Sequence, residues 1–160
     1  MIKEALFKKV MGKFTTGIAI VTTLDAHQKP FGLTINAFSS LSLDPPMVLF
    51  CLAKKTRFYS YLGNQSHFTI NILADTQKDL SIHFAKPFFG DQWDNIDFEF
   101  GKNNCPQLKN ALGIIECEKG AIYNGGDHDI ILGKVQDLKL TDAEPLLYFS
   151  GRYCALKNEA

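Results

Sequence analysis

The spacing of apolar and polar residues along the chain predicts many short strands and few helices. Near the amino terminus, apolar residues recur at helical spacing, which predicts a helix over residues 3–11. Residues 17–23 are rich in β-branched side chains, which favours a strand. This succession is typical of a closed or half-closed β-barrel rather than a sheet of βαβ units. The same criteria predict further strands over residues 30–35, 47–52, 68–73, 95–100, 113–118 and 128–140 and within 146–155, helices over 56–62 and 76–84, and a loop over 85–95.

A polar segment, residues 36–46, separates two of the predicted strands and is itself predicted to be a loop. Pro45 and Pro46 lack backbone donors and would form a rigid turn into the following strand. Short hydroxyl and amide side chains in and beside this segment suit contact with a phosphate or a planar heterocycle. A serine-rich connector has the same composition, so both roles are open from the residues alone. The polar side chains concerned are Thr34, Asn36, Ser39, Ser40 and Ser42.

The composition narrows the class of protein. A chain of 160 residues with 46% hydrophobic content suits one domain with a real core, so we expect residues 1–160 to form a single domain. Seventeen basic and seventeen acidic side chains cancel, which argues against a nucleic acid or an anionic membrane surface as a partner. The heavy aromatic load, with 13 Phe, fits a barrel interior and also fits the wall of a pocket for a flat cofactor.

The cysteines and the amino terminus indicate a cytoplasmic protein. The four cysteines are scattered and form no CxxC pair, so reduced thiols are expected rather than a zinc site or a redox motif. The amino-terminal apolar pattern is interrupted by lysines and is amphipathic, unlike a signal peptide. No apolar run approaches the roughly 20 residues that span a bilayer, so the chain is expected to be soluble.

Four ordered motifs resemble the flavin reductase-like family. They are TGIAIVTT at residues 16–23, GLTINAFSSLSLDPP at 32–46, GDH at 126–128 and PLLYFSGRY at 145–153. The resemblance extends over about residues 7–156. It implies a mainly β fold, an FMN-binding split β-barrel of Greek-key type with a few peripheral helices. It also implies a homodimer and an NAD(P)H-dependent flavin reductase, which transfers hydride to N5 of FMN or FAD and supplies reduced flavin to a partner monooxygenase or another acceptor.

The resemblance also implies where a flavin would bind. The ring would lie against residues 34–37, where small side chains permit close approach, with a second contact from residues 84–86. Its phosphate would be met by serines of the polar segment and by the start of the KKTR run, with Lys54 and Thr56 as the preferred pair. A solvated helix start is the alternative for that run, and this chain has Ala53 where many relatives have Asn. The cofactor-binding candidates are therefore Thr34, Ile35, Asn36, Ala37, Ser39, Ser40, Ala53, Lys54, Thr56, Phe84, Ala85 and Lys86.

A nicotinamide site is implied by the GDH motif, with His128 as the candidate catalytic residue beside incoming NADH or NADPH. Gly126, Asp127, His128 and Tyr153 make up this candidate site. Taken alone, GGDHD is also an ordinary turn sequence, with glycines for positive φ and aspartates for local hydrogen bonds.

Other chemistries lack their motifs. The chain has no GxSxG, no GxGxxG and no paired histidines at metal-ligand spacing, so no metal site is expected and any NAD(P)H would bind on the flavin. Hydride transfer between nicotinamide and flavin needs no acid or nucleophile from the protein. The alternatives that stay open are a carrier that retains its FMN, a ferric reductase, and a non-catalytic module that holds flavin or haem.

Overall fold

The computed structural model describes residues 2–87 and 91–156. Its helices are α1 (Glu4–Met11), α2 (Arg57–Asn64) and α3 (Lys78–Ala85), with a 3₁₀ turn at Asp75–Gln77 directly before α3. Its strands are β1 (Thr16–Gly17), β2 (Ala19–Leu24), β3 (Pro30–Ile35), β4 (Phe38–Leu43), β5 (Pro46–Ala53), β6 (His67–Ile72), β7 (Phe98–Phe100), β8 (Pro106–Leu108), β9 (Gly113–Gly125), β10 (His128–Leu140), β11 (Leu147–Phe149) and β12 (Arg152–Cys154).

Seven of these strands form one antiparallel sheet in the order β3-β2-β6-β9-β10-β5-β4. Its two edge strands, β3 and β4, follow each other in the chain and are joined only by Asn36 and Ala37. Because so short a connection cannot cross an open seven-stranded sheet, the sheet must curl until its two edges come close together. The result is a β-barrel open along one seam, and the predicted mainly β, split-barrel fold is confirmed.

Two hydrophobic clusters pack on opposite sides of strand β2. Every residue of this strand is buried, and successive side chains alternate between the clusters, with Ala19 and Val21 in one and Ile20 in the other. Val21 packs in the barrel interior with Phe50 and Phe68, whose rings meet edge to face at 5.2 Å between centroids. Ile20 belongs to the second cluster, which includes Phe84 of α3. A strand buried on both faces explains why this segment is a continuous apolar and β-branched run.

The prediction of a loop over the polar segment was wrong for residues 38–43, which form strand β4. These residues pair with β5, with an irregularity in register between Ser40 and Ser42. Serine has little strand preference of its own, so the pattern of side chains gave no strand signal; the hydrogen-bonding edge of β5 supplies the pairing. The turn that follows contains the cis peptide bond Asp44–Pro45.

Other element boundaries differ from the predicted ones. Strand β9 continues to Gly125 rather than ending at residue 118, since its exposed outer half pairs with β10 although it lacks an apolar face. The strand predicted from residue 95 begins at Phe98, and its partner β8 was not predicted. The loop predicted over residues 85–95 includes residues 88–90, which lie outside the described residues. Within the described part of the chain, no helix is both long enough and apolar enough to cross a bilayer.

Candidate functional site

A cavity of about 520 Å³ lies beside the open seam of the barrel, between helix α1, the start of β4 and the middle of β5. We call it the α1 cavity. Its volume falls in the range of small-molecule sites, roughly 300–1,000 Å³. Most of its wall is apolar, with aromatic and aliphatic side chains from all three elements. Its lining residues are Phe7, Lys8, Met11, Gly12, Phe14, Thr16, Asn36, Ala37, Phe38, Ser39, Leu49, Cys51, Tyr148, Ser150 and Gly151.

Three of the predicted flavin contacts, Asn36, Ala37 and Ser39, lie in the wall of the α1 cavity. Asn36 and Ala37 are exposed at the seam because they join the two unpaired edges of the sheet. The Ala37 carbonyl accepts a hydrogen bond from the backbone N–H of Cys51 at 2.9 Å, which fixes this connection against β5. The seam thus brings backbone and small side chains to the edge of an apolar cavity.

Thr16 adds a polar group that the sequence reasoning missed. Its Oγ1 is buried and has no hydrogen-bond partner within the described residues. The side chain lines both the α1 cavity and an adjoining space of about 290 Å³, which share Asn36 and Phe38. A buried hydroxyl without a partner costs free energy unless a ligand supplies one. The cavity therefore fits a flat, mostly apolar group that carries hydrogen-bonding atoms, as a flavin does.

Thr34 and Tyr153 do not line the α1 cavity but meet through helix α3, and the Tyr153 ring packs against Tyr148 of the cavity wall at 5.4 Å between centroids. Thr34 Oγ1 donates to the Ser81 carbonyl at 2.8 Å, and Ser81 Oγ lies 3.0 Å from Tyr153 Oη. Within the described residues, no hydrogen bond or ring contact joins Tyr153 to the Gly126–His128 turn. The structure therefore does not bring Tyr153 into contact with its predicted neighbours in the nicotinamide site.

Phe84, a predicted flavin contact, is fully buried in the second hydrophobic cluster. Its ring lies 5.0 Å from that of Trp93, and a Cβ on Gly32 would come within 2.8 Å of it. Gly32 is thus required by close packing. Ala85 and Lys86 are exposed at the carboxyl end of α3. The flavin contacts at residues 84–86 stay predictions, and the Phe84 ring already has a packing role.

The Gly126–His128 motif forms the tip of the β9–β10 hairpin. Gly125 pairs with His128, so Gly126 and Asp127 are the two central residues of the turn. Gly126 has φ +87°, at a position where two-residue hairpins favour glycine. His128 Nδ1 lies 2.7 Å from Asp127 Oδ1, and this hydrogen bond, with the His128 charge, holds the pKa of Asp127 below its usual range. The His128 side chain is 46% exposed and accessible to a ligand.

The predicted phosphate residues at the end of β5 lie against this hairpin tip. Ala53 pairs in register with His128, and the Lys54 N–H donates to the Asp127 carbonyl at 3.1 Å. Thr56 Oγ1 donates to the Ala53 carbonyl at 2.9 Å. The structure therefore brings together two sets that the sequence analysis treated separately, the KKTR run and the GDH motif.

Asp129 and Tyr59 complete the hairpin tip and were missed from the sequence. Tyr59 Oη donates to Asp129 Oδ2 at 2.5 Å, and Lys54 Nζ lies 3.2 Å from Oδ1. The Tyr59 hydrogen bond, followed by Lys54, lowers the pKa of Asp129 against the opposing effect of desolvation; the same bond raises the pKa of Tyr59. An aspartate inside the apolar strand sequence HDIIL was the available signal, because a buried carboxylate requires partners.

Two further predicted flavin contacts, Ile35 and Ser40, do not line the α1 cavity. Ile35 is buried in the barrel interior, and Ser40 is exposed on β4 outside the α1 cavity. Within the described part of the chain, no group of three or more His, Cys, Asp or Glu side chains is placed to hold a metal ion. The candidate residues thus fall into the α1 cavity, the hairpin tip and the α3 side of the barrel.

The chain belongs to the flavin reductase like domain family, whose model matches residues 11–157. It is 40% identical over 146 residues to a Rhizobium meliloti (strain 1021) protein named "Probable flavin reductase", covering 91% of this chain and 47% of that protein. It is 33% identical to the reductase subunit HsaB of a flavin-dependent monooxygenase from Mycobacterium tuberculosis (strain H37Rv), covering 96% of this chain and 82% of that protein. The chain thus spans about half the length of the first of these relatives.

A solved structure agrees with this assignment. The NADH:FAD oxidoreductase SgcE6 of Streptomyces globisporus, in complex with NAD and FAD fragments, matches with a TM-score of 0.93 and 32% identity. The match covers 99% of this chain and 95% of that chain. The predicted family is therefore confirmed by both sequence and structure.

Proposed function

We propose that this protein is an NAD(P)H-dependent flavin reductase that uses FMN or FAD and supplies reduced flavin to a partner monooxygenase or another acceptor. The observation that carries this proposal is the α1 cavity, where Asn36, Ala37 and Ser39 of the flavin motif border an apolar space beside the unpartnered Thr16 hydroxyl. Family membership and the names of HsaB and SgcE6 support the same activity.

In this proposal the α1 cavity holds the flavin ring. The apolar side chains of Leu49 and Phe38 exclude water from one part of the wall, while Thr16 Oγ1 and the Asn36 amide offer hydrogen bonds to ring atoms. A bound flavin accepts hydride at N5 and passes on the electrons, so the protein supplies position and polarity rather than an acid or a nucleophile. Ser39, Ser40, Ala53 and Thr56 stay the proposed phosphate contacts, whereas the predicted phosphate role of Lys54 competes with its ion pair to Asp129. Thr34, Ile35, Phe84, Ala85 and Lys86 are the proposed remaining flavin contacts.

The hairpin tip is the proposed nicotinamide site. With Nδ1 of His128 bonded to Asp127, Nε2 is the ring atom left to form a hydrogen bond with the incoming dinucleotide. Gly126 has no side chain to obstruct it, and an added Cβ there would meet no atom within 4 Å. NADH, the donor in the name of SgcE6, is the first to test. Tyr153 remains part of this proposal through the resemblance only.

A homodimer is also proposed, with α1 in the interface. Within residues 2–14, six large apolar residues, among them Leu6 and Phe14, are more than half exposed, and no residue of α1 is buried. An exposed patch of this kind on a short helix favours contact with another protein surface.

We further propose that residues 1–160 form one domain and work in the cytoplasm. The seven-stranded sheet draws its strands from residues 19–140, which supports a single domain. All four cysteines lie within the described residues and are free thiols, which suits a reducing compartment.

The test is oxidation of NADH and of NADPH by the purified protein under air, with and without FMN or FAD, after its visible spectrum is recorded. Turnover that rises with free flavin supports the reductase. Bound flavin that is reduced once, without turnover of free flavin, would favour a carrier that retains FMN. A haem spectrum, or a colourless protein with neither flavin binding nor activity, would overturn the proposal.

A further inference from the structure

Lys54 is held by the hairpin tip through contacts that occupy its ammonium group. Nζ donates to Asn124 Oδ1 at 2.5 Å and to the Gly126 carbonyl at 2.8 Å, and it forms an ion pair with Asp129 at 3.2 Å. An ammonium has three N–H donors. Two of them bond Asn124 and Gly126, and the third side of the group faces the Asp129 carboxylate. The same side chain therefore contacts both strands of the hairpin and the turn between them.

The negative charge of the Asp129 carboxylate is neutralised by the Lys54 ammonium. The Asp129 side chain is 8% exposed, and its Oδ1, which makes no hydrogen bond within the described residues, lies 3.2 Å from the Lys54 ammonium. Oδ2 is bonded by Tyr59 of helix α2. A buried carboxylate without its cation is strongly unfavourable, so the Lys54 ammonium is held in place by the same group that it neutralises.

This arrangement disfavours Lys54 as a direct phosphate ligand. A phosphate dianion would have to approach an ammonium that already lies 3.2 Å from the Asp129 carboxylate, and it would be repelled by that carboxylate. To bind the phosphate, Lys54 would also have to release the Asn124 amide and the Gly126 carbonyl.

We propose that Lys54 and Asp129 are positioning residues, which lock the Gly126–His128 turn to the end of β5 and to α2 and so set the affinity for the nicotinamide substrate. The lock contacts the turn itself, because Lys54 bonds the Gly126 carbonyl with its side chain and the Asp127 carbonyl with its backbone N–H. Holding a substrate-contacting group in place contributes to the rate by orientation. The role in substrate affinity rests on the proposed function; the lock itself does not.

The variants are Lys54→Met and Asp129→Asn, with the double variant as the charge-neutral pair and Lys54→Arg as the conservative replacement. Lys134→Met is the matched control, since Lys134 is exposed and lies on the same strand as Asp129. Hydrogen exchange of peptides covering residues 121–130 reports the lock without any need for activity. Steady-state kinetics with NADH report the positioning role of Lys54. Comparing the binding of FMN with that of riboflavin, which lacks the phosphate, reports whether Lys54 binds the phosphate.

We expect faster exchange at the hairpin tip in both single variants and a rise in KM for NADH on the order of tenfold, with a smaller change in kcat. The double variant should show the same faster exchange and raised KM as Lys54→Met, because it also lacks every Lys54 side-chain contact, but it should be more stable since it leaves no buried charge unpaired. Lys54→Arg should restore part of the affinity for NADH. The ratio of FMN to riboflavin affinity should stay unchanged.

Two results would overturn the inference. Weaker binding of FMN with riboflavin binding unchanged would make Lys54 a phosphate ligand. Exchange at residues 121–130 no faster than in Lys134→Met would exclude the lock. If Lys54→Met does not fold, the double variant, which leaves no buried charge unpaired, decides the same questions. If the wild-type protein oxidises neither NADH nor NADPH, the proposed function fails, and hydrogen exchange alone still tests the lock.

Discussion

The α1 cavity and the hairpin tip both use strand β5, and they differ in how their polar groups are satisfied. Leu49 and Cys51 of β5 line the cavity, where the Thr16 hydroxyl is buried without a partner. At the hairpin tip, beyond the end of the same strand, Lys54 has acceptors from three residues. Unpaired groups in an apolar cavity gain from a ligand, whereas paired groups rigidify their own surroundings. The difference supports the proposed flavin binding in the cavity, and it supports a positioning role for Lys54 and Asp129 beside the proposed nicotinamide site at the tip.

The largest expected effect is on stability, and it comes from the hydrophobic core rather than from the cavity or the hairpin tip. Replacing Phe84 by Ala should lower the free energy of unfolding by about 3–5 kcal/mol, because the ring is fully buried beside Gly32 and Trp93. Denaturant unfolding measures this, and Phe84→Leu is a milder variant that should remain folded. If Phe84→Leu kept its stability but bound flavin tenfold more weakly, Phe84 would be a flavin contact and not chiefly a core residue.

The next effect concerns the apolar wall of the cavity. Cys51→Phe places a ring where a half-buried Sγ lines the α1 cavity, and it should weaken flavin binding by about 1–3 kcal/mol, roughly ten- to hundredfold. Fluorescence titration with FMN and FAD measures the change. Cys154→Phe, at an exposed position on β12, is the control and should bind flavin as the wild type does. Unchanged binding in Cys51→Phe would place the flavin elsewhere.

A smaller effect tests the unpaired hydroxyl. Thr16→Val keeps the shape of the side chain and removes Oγ1, so it should weaken flavin binding by about 0.5–1.5 kcal/mol, or two- to tenfold. The flavin-free protein should be no less stable, because this hydroxyl has no partner within the described residues. Thr16→Ser retains the oxygen and should bind nearly normally. A loss of stability without a loss of affinity would contradict the comparison.

The smallest effect is the pH dependence of the hairpin tip. Tyr59→Phe removes the hydrogen bond that is the main cause of the lowered pKa of Asp129. A carboxyl with a depressed folded pKa contributes stability above its unfolded value, here 3.8, and loses that contribution as the pH falls through the folded value. The variant should therefore be less stable than the wild type at neutral pH, and the difference should shrink in acid below 3.8.

The hydrogen bond between Tyr59 and Asp129 also predicts a loss of stability at alkaline pH. Because the folded pKa of Tyr59 is raised above 10.0, its contribution is present below that pH and is lost as the pH rises through the raised value. Thermal unfolding across the pH range measures both limits, and Tyr61→Phe in the same helix is the control. A constant difference between wild type and Tyr59→Phe at all pH values would show that the pKa shifts have no bearing on stability.

Much of the barrel could be predicted because its signals are local. Strand β2 is a β-branched run buried on both faces, and β3 was predicted with its observed bounds. Strand β4 could not be, because its serines carry no strand signal and only the free edge of β5 makes it a strand. The cavity residues Asn36, Ala37 and Ser39 came from an ordered motif, whereas Phe7 and Met11 of α1 gave no such signal.

The sequence by itself determined the family and the mainly β fold, and it indicated a turn at GGDHD, since these depend on motif order, residue period and turn-forming glycines. The structure showed that this turn has two central residues, because β9 continues to Gly125 and pairs with β10. Only the tertiary structure decided which polar groups are paired. It places Lys54 against Asp129 and leaves the Thr16 hydroxyl without a partner within the described residues. The physical reason is that pairing depends on distance in space between distant segments, and no local pattern of side chains encodes that distance.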